Sequence, residues 1–311
     1  MPMFGLRRTG DAAHRAALAR QIAESQARIQ RYERQAASGR RLEAAADDPA
    51  GAARAVGLRL RLAAVAQWQE NASQARSRLA ATEAALGPVA RVIADARVLA
   101  LAGAGDTRPG ESRAVLAGQV NGLLEELATL SAARDGADHL FSGEAFDLAP
   151  YEFARDAEGR ITAAAPVAAA GGAVERLVGD GLRLSVNTGA ADVFGVGAAG
   201  RTDVFSLLID LRDALQADDG ARVASLLPGL DAGEEQVLAE EAAAGALSQR
   251  LATISGQLDG AAVDLEAARA GVEDVDMAQT VLDLAAEEAA LKAALATTAR
   301  IQGLSLFDFI R

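Results

Sequence analysis

Cysteine is absent from this chain. Disulfides and thiolate metal sites are therefore excluded, and an extracellular home is permitted rather than required. Histidine occurs only at His14 and His139. Two isolated imidazoles without cysteine make no convincing metal centre, and no nucleophile elbow accompanies them. Aromatic residues are 4% of a chain that is half hydrophobic. Much of that half is alanine, the best helix former but a poor source of buried area. This describes long, thin helical packing better than one thick globular core. No apolar run reaches transmembrane length. The opening MPMFGLRRTGDAAHRAALARQ holds no continuous apolar stretch of the secretory kind. The expectation is a protein that stays inside or leaves by a route needing no cleavable signal.

Positive charge is also short. A net charge of −12 disfavours a general nucleic-acid role. The balance is uneven: residues 1–61 are rich in arginine, including Arg28, Arg34, Arg40 and Arg41, whereas 203–288 is mostly acidic. Opposite-signed ends suit termini that pair with each other; two solvated helix faces would give the same pattern.

What is present is heptad patterning. Over 11–37, Leu18, Ile22, Ser25, Ile29, Tyr32 and Ala36 alternate four and three apart, as a coiled-coil seam does. Gly39 is a plausible helix stop. A second helical region spans 49 to about 102, with Leu79, Leu86 and Ile93 every seven residues and Thr82, Val89 and Ala96 between them. Unbroken, it is about 80 Å long; Gly87-Pro88 is a candidate kink or break. A third helix is expected over 110–138 on Leu116, Val120, Leu123, Leu127 and Leu130. Residues 141–200 are glycine-rich, with β-like pieces GRITA, LRLSVNTG and ADVFGV. A short helix with Leu207, Leu208, Leu211 and Leu215 follows. A long one is expected over 233–270 on Leu247, Leu251, Ile254, Leu258, Ala261, Leu265 and Ala268. The last helix, 276–302, has Met277, Val281, Leu284, Leu291, Leu295 and Thr298 as its seam, and the chain ends in the apolar GLSLFDFIR.

The expected fold is mainly α: an elongated antiparallel bundle of long heptad-patterned helices with a small β-containing insert. The expected segments are an N-terminal assembly helix (1–42), the first half of a helical rod (43–140), a β-rich insert (141–202), the second half of the rod (203–272), and a C-terminal assembly helix with its tail (273–311).

Each chemical motif meets a plainer reading. GVGAAG at 195–200 fits G-x-G-x-x-G, but no βαβ unit surrounds it, so a flexible link is expected. The doublets Asp218-Asp219, Glu240-Glu241 and Glu287-Glu288 are read as solvated faces, because adjacent helical residues point about 100° apart and do not converge on one substrate. Asp47-Asp48-Pro49 reads as a helix start: Asp48 is a good N-cap, Pro49 needs no N–H at the first helical position, and negative charge suits the helix dipole. The tail is different. Leu304, Leu306, Phe307, Phe309 and Ile310 make an apolar end that either folds back or meets a partner. No catalytic residue, cofactor or metal is expected.

Four stretches carry a family resemblance: SGRRLEAAADDPAGAARA (38–55), QWQENASQARSRLAATEAALGPV (67–89), HLFSG (139–143) and the C-terminal VEDVDMAQTVLDLAAEEAALKAALATTARIQGLSLFDFI. In this order and spacing they resemble the flagellin superfamily, and within it the hook-associated proteins. The opening MPMFGLRRTGDAAH is more basic than that family's polar start.

The resemblance implies a flagellin-like fold and a non-enzymatic structural role in the bacterial flagellum, between hook and filament. Filament subunit is the second reading and an intracellular coiled-coil adaptor the third. It implies an extracellular location reached through the flagellar type III export channel, and no membrane insertion. The implied partners are the adjacent hook-associated protein, flagellin, further copies in a ring, and an export chaperone on the C-terminal segment. The implied assembly surface is Leu18, Ile22, Ile29, Tyr32, Met277, Val281, Leu284, Leu291, Leu295, Ile301, Leu304, Leu306 and Phe307. The turn Gly39, Asp47, Asp48 and Pro49 lies at the edge of the assembly helices.

Overall fold

A computed structural model describes residues 4–105, 110–167 and 171–309, without the side chains of 4–12, 14, 15, 110 and 300–309. Among the described residues there are seven helices: α1 (Phe4–Ser38), α2 (Pro49–Gly103), α3 (Gly110–Ser131), α4 (Ala190–Phe194), α5 (Val204–Gln216), α6 (Gly220–Glu273) and α7 (Met277–Phe309). Six strands form three separate antiparallel hairpins: β1 (Arg134–Asp135) with β2 (Asp138–His139), β3 (Tyr151–Arg155) with β4 (Ile161–Pro166), and β5 (Glu175–Gly179) with β6 (Leu182–Ser185). The chain is mainly α, as its composition implies. It divides into two compact units, one of residues 1–63 with 262–311 and one of residues 64–261.

The larger unit is built on the expected periodicity. Leu79, Thr82, Leu86, Val89, Ile93 and Ala96 are all buried along α2, so the sevenfold spacing marks the inward face. Leu86, Val89, Ile93 and Ala96 join Leu116, Val120 and Leu127 of α3, Leu208, Leu211 and Leu215 of α5, and Leu230 and Val237 of α6 in one core. The hairpins dock on this bundle through aromatic side chains. Phe194 lies edge-on to Phe141 at 5.6 Å and to Tyr151 at 5.8 Å, and Tyr151 meets Phe205 at 5.6 Å; edge-to-face pairs add about 0.5–1.5 kcal/mol beyond burial. Beneath β4 the buried Arg212 donates to the Ile161 carbonyl at 2.6 Å. Arg113, also buried, donates to the Gly103 and Gly105 carbonyls and to Asp218, joining the end of α2 to the turn between α5 and α6.

Four expectations are corrected. Helix α2 continues through Gly87-Pro88, and α6 likewise carries Pro228 inside it. One missing N–H does not stop a helix whose face is packed on both sides of the proline. The third helix ends at Ser131 rather than 138, where β1 and β2 turn back around Gly136 at φ +63°. ADVFGV is a short helix, not a strand. Finally, α6 starts at Gly220, where Asp219 accepts from the Arg222 amide at 2.8 Å.

Candidate functional site

The smaller unit holds both terminal helices and the two turns that lead into them. Helix α1 ends at Gly39, whose φ of +69° suits glycine and whose amide donates to Gln35 O at 2.9 Å. Pro49 opens α2. Asp48 caps it: one carboxylate oxygen accepts from the Gly51 amide at 2.8 Å, and the Asp48 carbonyl accepts from Ala52 at 2.8 Å. A Cβ on Gly51 would lie 2.4 Å from that carboxylate, so glycine leaves room for the cap. Asp47 does a different job, accepting from the Ala44 amide within the turn at 2.9 Å. The Gly51 amide, opposed by partial desolvation and reinforced by Arg41, holds the Asp48 carboxyl below its ordinary value.

This turn is tied to the turn between α6 and α7. The Arg41 amide donates to Glu273 O at 2.8 Å, and the Val275 amide donates to Gly39 O at 3.0 Å. The Arg41 guanidinium donates to Val272 O at 2.8 Å and reaches Asp48 at 3.3 Å. The Glu273 carboxylate, 5% exposed, has Arg59 2.8 Å away. Asp276 then caps α7 by accepting from the Gln279 amide at 3.1 Å. Four helix ends are thus joined by backbone bonds and arginines.

Beyond the turns, α1 and α7 pack against each other. On α1 the less exposed face is Leu18, Ile22, Ser25, Ile29, Tyr32 and Ala36, the seam read from the sequence. On α7 it is Thr280, Leu284, Glu287, Leu291, Ala294 and Thr298. Leu284, Leu291 and Thr298 lie where the heptad reading put them. Met277, Val281 and Leu295 do not: they are exposed, as is Leu282 on another side of the helix at 65%. Glu287, read as part of a solvated doublet, faces α1 instead. It accepts from Ser25 Oγ at 2.9 Å and from Arg28 Nε at 2.8 Å, and Arg28 first, then Ser25, lowers its pKa. The other doublets are tied down too, Asp218 by Arg113 and Glu240 by Arg201 at 2.9 Å. Ile301, Leu304, Leu306 and Phe307, with Phe309 and Ile310, have side chains outside the described residues.

Residues 12–145 match the family model of the bacterial flagellin N-terminal helical region. Over that stretch the chain resembles the bacterial flagellins. Along its length the chain is 27% identical, over 302 residues, to flagellar hook-associated protein 3 of Escherichia coli (strain K12), covering 93% of itself and 95% of that protein. Solved structures share its fold. A Vibrio parahaemolyticus protein assigned as flagellar hook-associated aligns with a TM-score of 0.63 at 19% identity, over 73% of this chain and 100% of that one. The flagellar junction protein FlgL from Legionella pneumophila aligns at 0.56 and 14% identity, over 71% and 100%.

The glycines of GVGAAG are loop residues. Gly195 caps α4 at φ +74°, where a Cβ would lie 2.0 Å from the Thr202 carbonyl. A helix precedes the motif where a dinucleotide site needs a strand. His139 is buried, one ring nitrogen 3.0 Å from the Ala132 carbonyl and the other 2.9 Å from Arg134. The His14 side chain lies outside the described residues. Among the described residues no three His, Cys, Asp or Glu side chains group to hold a metal, and no helix is long and apolar enough to cross a membrane.

Proposed function

We propose that this chain is a structural, non-catalytic component of the bacterial flagellum that joins the hook, through the adjacent hook-associated protein, to the flagellin filament. The support is its similarity to hook-associated protein 3 over nearly all of both chains. The observation that carries the assembly reading is the exposed apolar stripe Met277, Val281 and Leu295 on α7. A monomer gains nothing from exposing such a stripe, and a neighbouring subunit's helix would cover it. In this reading copies of the chain form a ring, the terminal helix pair is the assembly surface, and Leu304, Leu306 and Phe307 extend it. An export chaperone holds the C-terminal segment while the chain travels through the flagellar type III channel. The location is then the flagellum, outside the cell.

A strain lacking the protein should build hooks and release flagellin into the medium. Normal filaments in that strain would sink the proposal.

A further inference from the structure

Helix α7 has two faces that could meet α1. Both contain Leu284, Leu291 and Thr298. One adds Thr280, Glu287 and Ala294; the other adds Met277, Val281 and Leu295. Buried area favours the second, because its side chains are larger and apolar. The structure uses the first and leaves the second outward. What the first face offers instead is Glu287, whose Oε1 accepts from Ser25 and from both Nε and Nη2 of Arg28. The second face brings up Glu288, which already has Lys292 of its own helix at 3.5 Å. Glu287 has Asp283 and Leu291 four residues either side, so its cation must come from another helix.

We propose that Glu287, with Ser25 and Arg28, is the specificity determinant that selects the face of α7 presented to α1 and so keeps the more apolar face outward. A single polar group in a heptad seam fixes helix pairing at a cost in stability, because wrong pairings strand it. Here the alternatives are a rotation of α7 and a slip by seven residues. Counting heptads from the Ser25–Glu287 contact puts Tyr32 level with Thr280 and Leu18 level with Ala294. Rotation would put Leu295 where Ala294 stands. That the outward face then receives a neighbouring subunit rests on the function proposed above; the choice of face does not.

The absence of cysteine makes a direct test clean. Full-length chain carrying Leu18→Cys with either Ala294→Cys or Leu295→Cys is oxidised, both free in solution and in isolated flagella, and intramolecular disulfides are scored by gel mobility. The expected result is that the 18/294 pair closes and the 18/295 pair does not. Adding Glu287→Leu should bring the 18/295 pair up to the yield of the 18/294 pair, with helicity and Tm maintained or raised. Glu288→Leu should leave the preference intact, and Glu287→Gln, which keeps the Ser25 acceptor but not the charge, should relax it part-way. A merely structural Glu287 would lower Tm and both yields together. The proposal is overturned if both pairs close equally before Glu287 is changed, if neither closes, or if Glu287→Leu leaves the yields unchanged. Disulfides that follow the expected pattern in a protein absent from flagella would uphold the face choice and remove the junction role.

Discussion

Asp48 shows how little of a residue's role its identity decides. Beside Asp47 and Pro49 it could have been half of a metal site; its bonds to the Gly51 and Ala52 amides make it the start of a helix. The carboxyl is held below its ordinary value of 3.8. Its stabilisation is therefore complete above that value and is lost as pH falls through the lower folded one. Amide exchange at Gly51 and Ala52 should stay slow until pH drops below the usual carboxylate range, and Asp48→Asn should remove that acid dependence. Gly51 sharpens the point. Alanine is the better helix former, yet Gly51→Ala should speed exchange in the first turn of α2, because the new methyl collides with Asp48 and with Leu42 at 3.2 Å. Gly118, inside α3 with nothing near its missing Cβ, should behave oppositely: Gly118→Ala should stabilise by about 0.5–1 kcal/mol in urea unfolding.

At the scale of elements, legibility followed side-chain size. Leu79, Leu86 and Ile93 read as the inner face of α2 because large apolar residues are what the core there needs, and all three are buried. The same logic misplaced half of α7. Its seam toward α1 keeps Leu284 and Leu291 but is otherwise filled by Thr280, Glu287, Ala294 and Thr298, while Met277, Val281 and Leu295 face out. A hydrophobic pattern cannot tell a face used within the chain from one left for another molecule. The Asp48 cap was legible because it is local; the Arg41 and Glu273 junction was not, because its partners are more than two hundred residues apart. The stretch ADVFGV misled for a related reason. Val193 and Phe194 are β-formers by propensity, but here they bury into the aromatic cluster from one turn of helix. That cluster joins the hairpins to the bundle, so Phe205→Ala should cost about 3–5 kcal/mol in urea unfolding and free the β3/β4 hairpin to exchange.

At the scale of the whole molecule, the two compact units differ in how well each fills its own core. Residues 64–261 hold the aromatic cluster and the continuous core of α2, α3, α5 and α6. In the unit with α1 and α7, the α7 side of the seam is mostly small or polar (Thr280, Glu287, Ala294 and Thr298 beside Leu284 and Leu291), and an apolar stripe on α7 is uncovered. Limited proteolysis of the free chain should accordingly trim residues 1 to about 40 and 275–311 first, and assembly into flagella should protect them. Resistance at both ends in the free chain would remove the idea that neighbours complete these helices. The central claim is the place of this chain in the flagellum, and antibody-labelled electron microscopy of isolated flagella tests it most directly. A single band of label where hook meets filament is the predicted result; label along the whole filament, or none on flagella and all of it in the cytoplasm, would contradict it.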